Sequence, residues 1–131
     1  MLTKVKVSDY MTTKFVTLKG DMDVIEAIKR LMHHRITGAP VTDSHGNVVG
    51  MFTEQDGMRV VLDSAYNQNF GGKVSEYMSK EIPAIGAEAS IVEAAERFTA
   101  TTARNFPVME DVELVGVISR VDVLNALLSH K

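Results

Sequence analysis

The sequence predicts an α/β fold (α+β by a stricter definition) made of two tandem β-α-β-β-α repeats related by a pseudo-twofold axis. Three observations predict it: an internal repeat, the same order of strand and helix patterns in both copies, and an ordinary globular composition. The chain has 131 residues, of which 45% are hydrophobic and 24% are charged, and this suits one domain or two half-size units. A unit of about 60 residues is only marginally stable by itself, so we expect the copies to pack together.

The internal repeat appears when the chain is shifted against itself. At an offset of 67 positions, nine of the 37 residues from 7 to 43 are identical to their partners. After a one-residue deletion the offset becomes 66, and it aligns glycine, hydroxyl and carboxylate residues in the pairs Gly50–Gly116, Thr53–Ser119 and Asp56–Asp122. A match of this length predicts a duplicated unit. The copies span residues 7–63 and 74–131, and a linker rich in Asn and Gly occupies 64–73.

Each copy reads strand, helix, strand, strand, helix. In the first copy, the apolar and β-branched run 15–18 predicts a strand, and a capping box of Asp23 with Glu26 begins a helix. A polar turn at 43–47 lies between two short β runs and predicts a hairpin. A second helix follows Thr53, and the second copy repeats the whole order with a turn near 110–111.

Apolar residues with helical spacing predict the buried stripe of the first long helix in each copy. They are Val24, Ile25, Ile28, Leu31 and Met32 in copy one, and Ile91, Val92, Ala95 and Phe98 in copy two. The final helices are marked by Met58, Val61 and Leu62, and by Val123, Leu124, Leu127 and Leu128. Because methionine fills irregular gaps, we predict core packing for Met11, Met32, Met51, Met58, Met78 and Met109.

Composition argues against several classes of function. The net charge is −3, aromatic residues make up 6%, and no basic stripe appears, so a nucleic-acid partner is not expected. Without cysteine there is no disulfide framework and no thiolate zinc site. No signal-like run follows Met1, and no apolar stretch approaches the ~20 residues of a membrane span. We therefore expect a cytoplasmic protein that does not contact membranes.

The histidines do not predict a catalytic or metal site. His33 and His34 are adjacent near the end of a helix and so point in different directions, unlike a pair at i and i+4. A cation at a helix C-terminus is favourable without any function. Asp43, Ser44 and His45 have the letters of a triad but lie in a hairpin turn, where polar residues are common. We expect no enzyme activity, no metal and no required cofactor.

The sequence places two motifs of the form Ser/Thr-x-x-Asp where a strand leads into a helix, at Thr53–Asp56 and Ser119–Asp122. Free N–H groups in the first turn of a helix suit an anionic phosphate. The carboxylate accepts hydrogen bonds from the two hydroxyls of a ribose. One helical turn is therefore suited to bind both the phosphate and the ribose of a ribonucleotide. The same spacing is also a helix-capping pattern, and the residues by themselves leave both interpretations open.

The segment before each hairpin is the second candidate binding element. At Ile36-Thr37-Gly38-Ala39, small side chains leave the backbone open to a planar ring, and Pro40 keeps the entering chain extended. The equivalent segment of copy two is Arg104-Asn105-Phe106 before Pro107. The alternative is a helix-to-strand turn in which Gly38 ends the preceding helix.

These motifs together resemble the cystathionine-β-synthase (CBS) domain. The resemblance rests on Gly38-Ala39-Pro40-Val41-Thr42-Asp43 with Phe52-Thr53-Glu54-Gln55-Asp56, and on Phe106-Pro107-Val108 with Gly116 and Ser119-Arg120-Val121-Asp122. It covers nearly the whole chain. The resemblance implies a tandem CBS pair with two sheets face to face, two clefts between the repeats and a disc-like homodimer of pairs.

In the family, each cleft takes its base-binding wall from one repeat and its Ser/Thr-x-x-Asp from the other. Carried to this sequence, cleft one combines Val16, Ile36, Thr37, Gly38 and Ala39 with Ile118, Ser119, Arg120 and Asp122. Cleft two combines Pro83, Arg104, Asn105 and Phe106 with Phe52, Thr53, Glu54 and Asp56, with Lys80 nearby.

The clefts differ in charge. Arg120 lies beside the expected phosphate of cleft one, whereas Glu54 holds the matching place in cleft two, where Arg104 and Lys80 are the compensating cations. Phe106 replaces the small Ala39 and is expected to crowd the base. We therefore expect cleft one to be the better nucleotide site.

The resemblance predicts a regulatory module that binds an adenine nucleotide such as AMP, ADP or ATP, with NAD and S-adenosylmethionine as further candidates. The signal would pass to an unknown protein partner or through a rearranged homodimer. The alternative is a structural or protein-interaction module that binds no ligand.

Overall fold

The computed structural model describes residues 1–69 and 71–130 and has the mixed α/β architecture expected from the sequence. A short 3₁₀ turn at Leu2–Lys4 comes first. The helices are α1 (Val7–Tyr10), α2 (Val24–His34), α3 (Glu54–Asn67), α4 (Val74–Tyr77), α5 (Ile91–Thr99) and α6 (Arg120–Ser129). The strands are β1 (Leu18–Lys19), β2 (Gly38–Thr42), β3 (Val48–Thr53), β4 (Ile85–Gly86), β5 (Asn105–Glu110) and β6 (Glu113–Ser119).

The strands form two three-stranded sheets of the same topology. In the first sheet β1 pairs parallel with β2, which pairs antiparallel with β3. In the second sheet β4, β5 and β6 repeat this arrangement. The antiparallel pairs include Gly38 with Thr53 and Asn105 with Ser119. Each central strand therefore begins beside the residue at which the last strand of its sheet ends.

The compact units of the structure regroup the duplicated sequence. The first-sheet unit comprises Val16–Ile82, and the second-sheet unit comprises Met1–Phe15 together with the chain from Pro83 onward. The short helix that begins each sequence repeat thus packs on the sheet of the other repeat. In the second-sheet unit Thr12 exchanges backbone hydrogen bonds with Val117 at 2.8 and 3.0 Å.

Each unit has its own apolar core, to which its exchanged segment contributes. In the first-sheet unit the buried residues are Leu18, Val24, Ala27, Leu31, Ala39, Val41, Phe52, Val60, Val74 and Tyr77. In the second-sheet unit they are Val5, Val7, Ile85, Ala87, Ile91, Ala94, Phe98, Phe106, Val108, Ile118 and Ala126. Val7 and Val74, at matching repeat positions, are both fully buried. Unfolding either exchanged helix therefore exposes apolar surface of the other repeat's core.

The two ends of helix α2 differ from those predicted. The Asp23 carboxylate accepts a hydrogen bond from the Glu26 N–H at 3.4 Å, as expected for an N-cap. The prediction that the Glu26 side chain reaches back was wrong, because its carboxylate pairs with Lys29 at 3.3 Å. The helix ends at Arg35, which has the left-handed φ of 55°, and Gly38 instead begins β2.

Two predicted boundaries also change. The strand expected at 15–18 is confined to Leu18–Lys19, because only these two residues pair with β2. Helix α3 continues to Asn67, so the first residues of the predicted linker are helical. Phe70, also in that linker, lies outside the described residues.

The core prediction was wrong for Met32 and Met58, which are 75% and 61% exposed, whereas Met51 is buried. The marker residues of the final helices are also largely exposed. They are Val61, Leu62, Leu124, Leu127 and Leu128. The buried faces of α3 and α6 are instead formed by small or branched residues, Gly57 and Val60 in α3 and Ala126 in α6. An apolar helical pattern alone does not distinguish a core face from an exposed apolar face.

Gly50 and Gly116 lie where the exchanged segments meet the sheets. A Cβ on Gly50 would lie 2.7 Å from the Ser79 carbonyl oxygen and 2.6 Å from the Met78 sulfur. A Cβ on Gly116 would lie 3.1 Å from the Thr12 carbonyl oxygen and 2.6 Å from the Met11 sulfur. The methionine side chains can move aside, but the backbone carbonyls are fixed by the bridging hydrogen bonds.

We expect Gly50→Ala to lower the free energy of unfolding by about 1–3 kcal/mol, as overpacking does. Gly116→Ala should lower the free energy of unfolding by less, because its Cβ would lie 3.1 Å from the nearest carbonyl oxygen instead of 2.7 Å. Urea denaturation measures both. Gly86→Ala is the control, since a Cβ there meets nothing within 4 Å. Equal stabilities for Gly50→Ala and Gly86→Ala would contradict this account of the close approach.

Candidate functional site

The junction between β3 and α3 carries the first Ser/Thr-x-x-Asp motif. One oxygen of the Asp56 carboxylate, Oδ2, accepts hydrogen bonds from the Thr53 N–H at 2.8 Å and from the Thr53 hydroxyl at 3.2 Å. The Thr53 hydroxyl in turn accepts from the Asp56 N–H at 3.4 Å. This reciprocal pattern is a capping box, so the structural interpretation of the motif is confirmed.

The junction between β6 and α6 repeats the same geometry. The Ser119 N–H donates to Asp122 Oδ2 at 2.8 Å, and the Asp122 N–H donates to the Ser119 hydroxyl at 3.2 Å. Both helices therefore begin with a hydroxyl, a carboxylate and the positive end of the helix dipole within one turn. Capping uses one carboxylate oxygen and leaves the other for a further partner.

That second oxygen differs between the two junctions. Asp56 Oδ1 accepts from Arg59 Nη2 at 2.8 Å, and this carboxylate side chain is 12% exposed. The same Arg59 nitrogen also donates to the Tyr77 carbonyl oxygen at the end of α4. Asp122 is half-buried and has no ion-pair partner among residues 1–69 and 71–130. The carboxylate of the first-sheet unit is thus ion-paired, and that of the second-sheet unit has no ion-pair partner in the described chain.

Tyr77 is fixed to α3 by a second contact. Its hydroxyl donates to Asp63 Oδ2 at 2.6 Å, one helical turn beyond Arg59. The hydrogen bond to the Asp63 carboxylate raises the pKa of Tyr77 above its ordinary value of 10.0, and burial adds to the shift. Arg59 therefore binds the backbone of Tyr77, and Asp63 binds its side chain.

The two base-wall segments lie beside the caps of their own units. The Glu54 N–H donates to the Thr37 carbonyl at 2.8 Å, and Gly38 pairs with Thr53. In the second-sheet unit the Arg120 N–H donates to the Arg104 carbonyl at 3.2 Å. Antiparallel pairing thus brings a wall segment and a Ser/Thr-x-x-Asp together in each unit. The predicted combination of a wall from one repeat with a cap from the other stays a prediction.

The predicted site residues fall into three classes of exposure. Gly38, Ala39, Asp56, Asn105, Phe106 and Ile118 are buried. Those that are half-buried are Val16, Ile36, Thr37, Thr53, Ser119 and Asp122. Glu54, Lys80, Arg104 and Arg120 are exposed.

The Phe106 side chain is buried and does not line the surface of its wall segment. It is 1% exposed and its ring stacks on Phe98, with the ring centroids 4.3 Å apart. The Arg97 guanidinium lies 4.9 Å from the Phe106 ring centroid. The aromatic ring is therefore part of the core of the second-sheet unit, which contradicts the expectation that it crowds a bound base.

The Arg120 guanidinium is already partly engaged. Its Nε donates to the Ala103 carbonyl at 3.0 Å, and Nη2 donates to the carbonyls of Phe98 and Thr101 at 3.2 and 3.0 Å. Arg120 therefore stabilises the C-terminal end of α5, where a positive charge is favourable. These bonds leave the two hydrogens of Nη1 as donors for an anion.

The other chemical motifs show local contacts only. His33 and His34 place their rings edge to face, with centroids 5.0 Å apart. The Asp43 carboxylate accepts from the backbone N–H groups of Asn47 and His45 at 2.9 and 2.8 Å, and these bonds lower the pKa of Asp43. Within 1–69 and 71–130, no three His, Asp or Glu side chains are grouped as metal ligands. Over the same residues, no helix has the length and apolarity needed to cross a bilayer.

Arg59 is the residue that the sequence reasoning missed. Its signal was present, because a position three residues after Asp56 on a helix lies on the same side as that carboxylate. The matching residue of the second repeat, at the offset of 66, is Asn125, which carries no charge. Comparing the two repeats at this position would have found the difference.

Comparison with known proteins gives one family. The family model of the CBS domain matches the chain twice, over residues 7–63 and 74–129. An uncharacterized 17.7 kDa protein of Acidianus ambivalens is 29% identical over 124 residues, which make up 94% of this chain and 73% of that protein. The A-adding tRNA nucleotidyltransferase of Aquifex aeolicus is 28% identical over 95% of this chain, which spans only 14% of the enzyme.

A solved structure shows the same fold. The crystal structure of CBSX2 in complex with AMP superimposes with a TM-score of 0.84 at 25% sequence identity. The match covers 95% of this chain and 97% of that one. The fold of this chain is therefore that of a known structural class.

Because the Asp63 carboxylate raises the pKa of Tyr77, we expect the Tyr77 phenol in the folded protein to titrate with a midpoint above its ordinary value. The stabilisation from this pair is complete below the unfolded-state pKa and is lost as the pH rises through the higher folded-state pKa. Asp63→Ala should lower the titration midpoint. The difference in phenolate absorbance from Tyr77→Phe isolates the signal, and an unchanged midpoint would contradict the proposed contact.

Proposed function

Because the chain belongs to the CBS domain family, as a tandem pair of CBS domains, we propose that it is a regulatory module that binds an adenine nucleotide in the clefts between its repeats. The observation that carries the proposal is the duplicated cap, in which a hydroxyl and a carboxylate lie at the positive end of a helix, beside the segment that enters the hairpin. CBSX2 has been crystallised with AMP, and this supports the choice of ligand class.

Each part of such a ligand has a chemically suitable partner. The phosphate meets the hydroxyl at the start of a helix, where the helix dipole favours negative charge. The ribose diol donates hydrogen bonds to the aspartate. The adenine lies along the backbone that enters the hairpin, at Thr37 and Gly38 in the first-sheet unit.

The preferred site takes its phosphate- and ribose-binding residues from the second-sheet unit. Asp122 has an oxygen without an ion pair in the described chain, and Arg120 adds the two Nη1 hydrogens beside the helix start. AMP, ADP and ATP share the groups read by these residues, and NAD and S-adenosylmethionine also carry adenine with a ribose diol. We propose AMP-like nucleotides first, as regulatory ligands and not as required cofactors.

The proposed module acts on other molecules and catalyses no reaction itself. A ligand that binds one conformation more tightly shifts the population toward it, and a protein partner or the partner subunit reads that shift. We propose a cytoplasmic setting, since the chain has no cysteine for disulfides.

We further propose that the module forms a homodimer through the exposed apolar faces of α3 and α6. The exposed residues match at the offset of 66, in the pairs Met58–Leu124, Val61–Leu127 and Leu62–Leu128. Val61 also lines an open apolar groove of about 590 Å³ between α2 and α3. Apolar residues repeated on equivalent faces indicate an interface, because scattered single exposures would not recur in both repeats.

Thermal unfolding with AMP, ADP, ATP, NAD, S-adenosylmethionine and GTP tests ligand binding. A ligand at about 100 times its dissociation constant adds ~2.7 kcal/mol to the free energy of unfolding, which raises Tm by several degrees. We expect a shift with adenine nucleotides and none with GTP. Absence of any shift would favour an interaction module that binds no nucleotide.

Asp122→Ala should abolish the ligand-dependent shift and cost about 1 kcal/mol of stability through the lost cap. Asp23→Ala is the matched control, because it removes the N-cap of α2 at a similar cost and lies in no predicted cleft. The control should keep the full shift. A normal shift in Asp122→Ala would contradict the assignment of this carboxylate.

Met58→Glu and Leu124→Glu should each convert the homodimer to a folded monomer, because a charge on an apolar interface must be desolvated. Sedimentation velocity measures the mass, and circular dichroism checks the fold. Val112→Glu is the control, since Val112 is 85% exposed in the turn between β5 and β6. A monomeric parent protein, or dimers that persist in both variants, would contradict the proposed interface.

A further inference from the structure

The two cap carboxylates differ in how many acceptor positions remain open. A carboxylate offers roughly four acceptor positions. At Asp56, two are used by the N–H and hydroxyl of Thr53 and a third by Arg59. About one position remains, whereas a ribose diol brings two donors.

The Asp122 carboxylate has more open acceptor positions than that of Asp56. Its carboxylate accepts from the Ser119 N–H at 2.8 Å, and it forms no ion pair within residues 1–69 and 71–130. About three acceptor positions therefore remain. Asn125, on the exposed surface of α6, holds the place that Arg59 holds on α3.

Arg59 is held in place from both sides. Fully exposed ion pairs at this spacing contribute little, but the Asp56 carboxylate is only 12% exposed. Arg59 Nη2 also donates to the Tyr77 carbonyl. Tyr77 is in turn bonded through its hydroxyl to Asp63 on the next turn of α3. The contact therefore belongs to a small network that joins α3 to the end of α4, and breaking it for a ligand costs more than one surface ion pair.

Resting on the proposed function, we propose that Arg59 blocks ribose binding at Asp56, so that each chain binds one nucleotide, at Asp122. Arg59 and Asn125 are then the specificity-determining pair that makes two duplicated sites unequal. In this chain the cation at position 59 closes the site at Asp56, and the uncharged Asn125 leaves the site at Asp122 open.

Isothermal titration with AMP, and separately with ATP, tests this inference through the stoichiometry. We expect one nucleotide per chain for the parent protein and two for Arg59→Asn. Asn125→Arg should weaken binding at least tenfold, because the introduced guanidinium would pair with Asp122 as Arg59 does with Asp56. In the double variant, one site should remain, and Asp56→Ala should then remove it.

Two controls separate blocking from indirect effects. Ser129→Arg adds the same charge to α6 two turns beyond Asp122, and binding should be unchanged. Arg59→Asn also removes the bond to Tyr77, so its fold is checked by thermal unfolding. Asn125→Arg leaves the first-sheet unit intact and tests the same rule if Arg59→Asn does not fold.

The outcomes distinguish the inference from the proposed function. Two nucleotides bound by the parent protein, or one bound by a folded Arg59→Asn, would overturn the blocking role and leave nucleotide binding established. Weaker binding in Arg59→Asn would show that Arg59 assists the ligand, which also overturns it. If none of these proteins binds AMP or ATP, the binding of AMP-like nucleotides that we propose first fails, and this inference fails with it.

Discussion

The antiparallel pairing of the two hairpin strands is the constraint on which the rest of the structure depends. It sets Gly38 opposite Thr53 and Asn105 opposite Ser119. As a result, the start of one strand and the end of the next lie at the same edge of each sheet. The first turn of the helix therefore lies beside the wall segment, and the Glu54 N–H donates a hydrogen bond to the Thr37 carbonyl. A one-residue slip would turn every side chain to the opposite face.

The same hydroxyl–carboxylate pair serves folding and, in our proposal, recognition. A helix needs partners for its first N–H groups, and Thr53 and Ser119 each provide them together with an aspartate. Because capping uses only one carboxylate oxygen, the second is free to specialise. In the first-sheet unit it binds Arg59, and in the second-sheet unit it stays open. The two repeats thus share the cap and differ in the partner of the second carboxylate oxygen.

The short helices α1 and α4 bury apolar side chains, whereas the long helices α3 and α6 expose them. Val7 and Val74 place each opening helix in the core that contains the other repeat's sheet. Neither sequence repeat by itself therefore contains the full core of a unit. Helices α3 and α6 instead present apolar side chains on their outer faces. A large exposed apolar area marks an interaction site, and in our proposal a homodimer covers it.

The sequence by itself determined the duplication, the order of elements and the family, since these depend on spacing that survives without coordinates. It also located both caps, because Ser/Thr-x-x-Asp is a local pattern whose hydrogen bonds form within one turn. Tertiary structure alone decided the exchange of α1 and α4, which depends on contacts between residues distant in sequence. It also decided the burial of Phe106, the exposure of Met32 and Met58, and the engagement of Arg120 and Arg59. Side-chain identity fixes what a residue is able to bind, but the packed neighbours determine which partner it meets.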